Sequence, residues 1–176
     1  LGVRRRGEDL VMNIQSRFDE IRKITRKLSK PNVVAIEWIE PIMTGGNWMP
    51  EMIEIAGGVP HLAKAGEHSP WCNWEDIVSS GPDRAGELPC RCGLNKMLSE
   101  MSRLTKKEHW RELTAVRQQS VYILDGNHYF NRPGPRIRNS VEILTEIFHP
   151  DQFGCQNKGN GWIRFGSSSS SAGCAQ

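Results

Sequence analysis

No run in this 176-residue chain approaches the ~18 consecutive apolar residues of a membrane span, so no transmembrane segment of its own is expected. An apolar signal core is also lacking at the start. The first residue is Leu1 and not Met, which leads us to expect a processed chain or further sequence upstream. Charge of one sign is in short supply. A net charge of +3 is too small to imply a nucleic-acid partner. The basic residues that do cluster (Arg4, Arg5, Arg6, then Arg22, Lys23, Arg26, Lys27) read as the solvated face of a helix. A nucleic-acid or anionic-membrane patch is the less favoured reading.

Cysteine is sparse and odd in number: Cys72, Cys90, Cys92, Cys155 and Cys174. That count does not suggest a disulfide framework. Cys90-x-Cys92 lacks the two-residue spacer of a zinc knuckle or a thioredoxin motif. Plain thiols are therefore expected, and no metal site. Neither GxxxxGK[ST] nor GxGxxG occurs, and no Ser or Cys sits in a nucleophile elbow. His61, His68, His109 and His149 are scattered, with no i, i+4 pair. One acid–base pairing remains, Asp125 with His128. No catalytic residue is assigned, and an enzyme built on that pair is the least favoured class.

What is present suits one soluble domain with a real core: 38% hydrophobic and 24% charged residues. Val11, Ile14, Phe18, Ile21 and Leu28 recur near 3.6 residues, predicting a long helix over 8–28 that Pro31 stops. Asn32–Ile39 predicts a strand buried on both faces. A short helix follows over 48–56, with Gly57-Gly58 at its end. Asn73 caps a further helix whose first turn holds Glu75 and Asp76. The segment 84–93, RAGELPCRCG, stands where an α/β unit wants a strand and is a poor one. A helix from 94, a strand from 121 and a helix over 140–148 complete a mixed α/β, three-layer pattern. Residues 154–176 are rich in Gly and Ser and read as a flexible tail.

Two segments share one design: a strand, then a polar residue, rings and Pro/Gly, then a helix. The first runs from Trp38 and Glu40 to Asn47 and Trp48. The second runs from Asp125 through His128, Tyr129 and Phe130 to Arg132. If their strands are parallel in one sheet, both loops leave the same edge, where α/β sheets bind ligands. Their rings then form a wall for a flat or bulky ligand, or alternatively fill the core. Glu75 either stabilises the positive end of its helix or docks a basic partner.

Four pieces, NVVAIEWIEPIMTGGNWMPEMIEIAGG, WEDIVSSGPD, LPCRCGLNKML and VYILDGNHYFNRPGPRIRNSVEIL, together resemble the C-terminal lobe of a known family. These are the ABC-transporter substrate-binding proteins for cobalamin, haem and iron-siderophores, in particular the vitamin B12-binding type. The resemblance spans roughly residues 8–153. It implies the helical-backbone periplasmic-binding fold, with the first lobe absent and a linker helix over 1–30. The lobe would occupy 31–153 and the tail 154–176. Ligand-facing roles are implied for Trp38, Glu40, Asn47, Trp48, His128, Tyr129, Phe130 and Arg132. Glu75 falls where the family offers an acidic residue to arginines of the permease. The implied activity is capture of a cobalamin, haem or ferric siderophore, with no obligatory cofactor and a periplasmic or other extracytoplasmic location. The alternative is a repurposed accessory subunit of a larger membrane-associated complex, organellar in that case.

Overall fold

The computed structural model describes residues 3–87 and 94–166. Cys90, Cys92, Cys174 and the Ser-rich end lie outside the described residues. A mixed sheet forms the middle layer. Its strands are β1 (Asn32–Ile39), β2 (Ile42–Thr44), β3 (Val59–Pro60), β4 (Arg84–Glu87), β5 (Val121–Leu124) and β6 (Trp162–Arg164). The order is β2-β1-β4-β5-β6, with β3 also pairing the start of β1. β1, β4 and β5 run parallel, while β2 and β6 add antiparallel edges.

Alternation along the strands sorts the core into two halves. Val33 and Ala35 face one side, with Tyr122 and Leu124. There they meet α1 (Arg4–Thr25), α2 (Met49–Ile55) and α6 (Ile137–Phe148) through Ile21, Met52, Ile53, Val141 and Ile147. Val34 and Ile36 face the other side, with Val121 and Ile123. Their partners are Ile77 of α3 (Trp74–Ser80), Met101 and Leu104 of α4 (Leu94–Thr105) and Ala115 of α5 (Thr114–Arg117). This is the three-layer α/β arrangement that the pattern predicts.

Three features differ from the sequence expectations, while the weak strand expected after Arg84 does form, between β1 and β5. Its ladder comes from backbone pairing on both sides. Gly86 suits a tight place, since a Cβ there would lie 3.2 Å from Leu124 Cδ1. Residues 154–166 are not a tail. Trp162–Arg164 pairs with β5, and Trp162 is buried. The buried Glu146 pins this segment by accepting from Trp162 Nε1 (3.0 Å), Asn157 N (3.0 Å) and Asn157 Nδ2 (2.8 Å). Cys155 is disulfide-bonded and so is not the plain thiol expected of it. The long helix begins at Arg4, and its later turns are part of the lobe. Ile21 is buried, and Arg17 Nε meets Glu142 Oε1 of α6 at 2.8 Å. Among the described residues no helix is long and apolar enough to cross a membrane.

Candidate ligand-binding face

Because β1 and β5 both run parallel to β4, the loops that follow them leave one edge of the sheet. β1 ends in a hairpin whose Glu40–Pro41 bond is cis, and β2 runs back beside it. Ile36 pairs with Thr44 and Trp38 with Met43, so Glu37 is the extra residue of a β-bulge. Ile36 and Ile39 both face the second core. The bulge therefore puts Glu37 and Trp38 together on the opposite side, toward the first core. Met43 in turn bridges to Trp71. Directly paired residues project from the same face, so Trp38, Met43 and Trp71 form one row. Trp38 is 44% and Trp71 61% exposed. They make a shelf of two indoles around a thioether. Trp38 Nε1 is tied to the hairpin by donating to Glu40 O at 2.9 Å.

After β2 the chain passes Gly45-Gly46 and turns at Asn47, which holds a left-handed φ of 54°. A Cβ on Gly46 would lie 2.5 Å from the Ser69 backbone N, so glycine is required there. Ser69 Oγ accepts from Gly46 N (3.1 Å) and donates to Glu37 Oε2 (2.6 Å). This fixes the loop against the bulge.

The second loop is a π-type turn over Gly126–Phe130. Asp125, itself buried, braces it. Its Oδ1 accepts from the His128 backbone N (3.1 Å), and its Oδ2 lies 2.7 Å from His128 Nδ1. Ser140 Oγ donates to Tyr129 O and Arg136 Nη1 to His128 O (3.3 Å). The loops meet where Trp48 Nε1 donates to Phe130 O at 3.1 Å. Between them lies a groove of about 50 Å³ lined by Glu37, Gly46, Asn47, Trp48, Phe130 and Asn131, among others. It has room for a small substituent but not for a bulky molecule, which would lie across it.

The structure thus brings Asn47, Trp48 and Phe130 into one groove, with His128, Tyr129 and Arg132 on the same second loop. Trp38 and Glu40 stand on the hairpin. The ring of Phe130 is buried in the first core, and Arg132 is exposed. Five residues of this face escaped the sequence reading: Glu37, Met43, Ser69, Trp71 and Asn131. The bulge and the Met43–Trp71 bridge that collect them leave no local pattern. Glu75 is exposed on α3, where Asp76 takes the capping role, accepting from Asn73 N at 2.9 Å. Glu75 is thus not used up by the cap. Among the described residues no group of three or more His, Cys, Asp or Glu could hold a metal ion. The opposite edge of the sheet differs in kind. There an open groove of about 580 Å³ between α1 and α2 is lined by Lys23, Arg26, Lys30, Glu51 and Glu54, among others.

The relatives found by comparison are described as solute-binding proteins. A family model described as "Periplasmic binding protein" matches residues 1–128. YvrC of Bacillus subtilis (strain 168), an uncharacterized ABC transporter substrate-binding lipoprotein, is 27% identical over 161 residues. The match covers 86% of this chain and 47% of the relative. An ABC transporter substrate-binding protein from Listeria monocytogenes superposes with a TM-score of 0.72 at 16% identity, covering 81% of this chain and 56% of that one. The periplasmic vitamin B12 binding protein BtuF of Vibrio cholerae gives 0.64 at 20%, covering 86% and 56%. S. aureus IsdE, solved with heme, gives 0.67 at 18%, covering 81% and 57%. These superpositions establish the helical-backbone periplasmic-binding fold. The chain spans about half the length of the relatives it matches. With most of its length matched by the family model, the chain belongs to the periplasmic binding protein family.

Proposed function

We propose that this chain is a ligand-gripping lobe of a substrate-binding protein for ABC uptake, working outside the cytoplasm on a bulky, flat-faced ligand. Cobalamin, haem and ferric siderophores are the candidates. The supporting observation is the Trp48 Nε1–Phe130 O hydrogen bond, which joins the two ring-bearing loops into one face. The Trp38–Met43–Trp71 row extends that face with apolar area suited to stacking. The groove below takes a projecting polar group, with Glu37, Asn47 and Asn131 supplying hydrogen-bonding atoms. Glu40 on the hairpin and His128, Tyr129 and Arg132 on the second loop are proposed as further ligand contacts. Glu75, exposed on α3, is proposed as the docking carboxylate for the permease.

A lone face buries only part of a ligand, while association costs at least ~4 kcal/mol. Loss of one stacking ring, worth about 1.5–3 kcal/mol, is then felt strongly. The test is quenching of tryptophan fluorescence by cyanocobalamin, haemin and ferrichrome. Saturable quenching by one of them is expected, with Kd raised about tenfold or more in Trp71→Ala or Trp48→Ala. Absence of saturable quenching by all three would sink the proposal. Recovery of the chain in a stable large assembly would then favour the accessory-subunit alternative.

A further inference from the structure

Resting on the capture function just proposed, we propose that the groove between the two loops selects its ligand by charge. It takes a projecting arm that ends in an N–H donor, a primary amide or an ammonium, and turns away an arm that ends in a carboxylate. Glu37 makes the selection. It lines the groove half-buried, as the extra residue of the β1 bulge. Ser69 Oγ donates to Glu37 Oε2 at 2.6 Å and is itself tied to Gly46 N at 3.1 Å, so the carboxylate is fixed in place. An ionised carboxylate accepts and never donates, and it has about four lone-pair sites, so the Ser69 hydroxyl leaves capacity for a ligand. Among the described residues that line the groove, Glu37 alone carries a charge.

The donors around it are committed elsewhere. Gly45 N donates to Ala35 O (2.9 Å), Asn47 N to Glu67 O (2.6 Å), Met49 N to Gly46 O (3.0 Å) and Asn131 N to Gly126 O (2.8 Å). Trp48 Nε1 donates to Phe130 O. The side-chain amides of Asn47 and Asn131 can act in either sense. A carboxylate arm would thus leave its water for a like charge in a half-buried place, where solvent screens the repulsion less. An N–H arm meets its complement there. About 50 Å³ suits the end of such an arm, a few heavy atoms, and leaves the ligand's body against the Trp38–Met43–Trp71 row. Of the charges nearby, Glu40 on the hairpin adds the same sign, while Arg132 on the second loop is exposed and does not line the groove. Selection of this kind rests on a repulsive element as much as on an attractive one.

Ligand pairs that differ only in the arm isolate this effect. Cyanocobalamin bears primary amides on its rim, and each of its b-, d- and e-monocarboxylic acids replaces one of them with a carboxylate. Haemin bears two propionates, and its bis-amide replaces both. In tryptophan-quenching titrations at pH 7.5 and 150 mM salt, the amide member of at least one pair is expected to bind about tenfold tighter or more. Glu37→Gln keeps an acceptor for Ser69 and removes the charge. It should bring that ratio below about threefold, chiefly by tightening the carboxylate member, a gain that a misfolded variant does not produce. Ferrioxamine B, whose free arm ends in an ammonium, separates the two donor types: if the ammonium is the arm taken, Glu37→Gln weakens it about tenfold. Equal binding within every pair that binds, with ferrioxamine B unchanged in Glu37→Gln, would overturn charge selection and leave capture intact. An amide preference that survives in Glu37→Gln would overturn it equally. If none of these ligands quenches saturably, capture itself fails and the selection with it.

Discussion

His149 ends α6 where α1, α2 and β4 converge, and it is buried with its Nε2 lacking a hydrogen-bond partner. Thr25 of α1 and Gly57, just past α2, close over it. A Cβ on Gly57 would lie 2.6 Å from Thr25 Cβ and 2.7 Å from His149 Nε2. Burial pushes its pKa below the usual 6.5, and the charge of Arg84 adds to that. The Gly57 and Ala56 backbone offsets part of it. The folded state thus holds the neutral ring, while the unfolded chain takes up a proton more readily. This contribution to stability is complete above about pH 6.5, and it is lost as pH falls below 6.5 toward the depressed folded value. His109 works in the opposite sense, raised by its hydrogen bond to Glu112, but it is solvent-exposed and its effect is screened. Urea midpoints should therefore fall between pH 7.5 and pH 5.5, and His149→Asn should flatten that fall. An unchanged slope in the variant would assign the pH response elsewhere.

At the scale of elements, α1 divides into two parts with different energetics. Ile21 is fully buried against α2 and α6, whereas Leu10 is 43% exposed. Ile21→Ala leaves a cavity in close-packed surroundings and should cost about 2–5 kcal/mol. Leu10→Ala should stay within about 0.5 kcal/mol. Urea denaturation of both variants checks the division. Equal losses would mean that the helix docks along its whole length. The same contrast between local and distant causes explains what the sequence made legible. β1 was read with its observed bounds because Val33, Val34 and Ile36 are β-formers in an unbroken run. The cap of α3 was also plain, with Asn73 ahead of an acidic turn and Gly81 in a left-handed conformation behind it. β4 was legible only as a weak strand, because Arg84-Ala-Gly-Glu87 owes its place to strands on both sides. β6 was hidden among Gly and Asn, since it is held by Glu146, a residue of another element. The same holds at the site. Asn47, Trp48 and Phe130 follow from the strand–ring–turn pattern, whereas Met43 and Trp71 become neighbours only through an antiparallel return strand.

On the scale of the whole molecule the sheet has two unlike ends. Rings and a small polar groove collect at the edge where β1 and β5 finish. Lysines, arginines and glutamates collect near the start of β1, around a wide groove open to solvent. If capture belongs to the first end alone, substitutions should separate by pole and not by severity. Lys23→Glu with Arg26→Glu reverses two charges in the larger cavity. Exposed charges beyond a Debye length of ~8 Å are largely screened, so ligand affinity should not change. Trp48→Phe is chemically milder, keeping a ring while removing the donor to Phe130 O. A lost hydrogen bond costs about 0.5–1.5 kcal/mol, and here it also frees the two loops from each other. Affinity for whichever of cyanocobalamin or haemin binds should drop roughly 3- to 10-fold, read by fluorescence titration at 150 mM salt. If the double charge reversal weakens binding more than Trp48→Phe does, the ligand sits at the charged groove and the ring-bearing edge has another purpose.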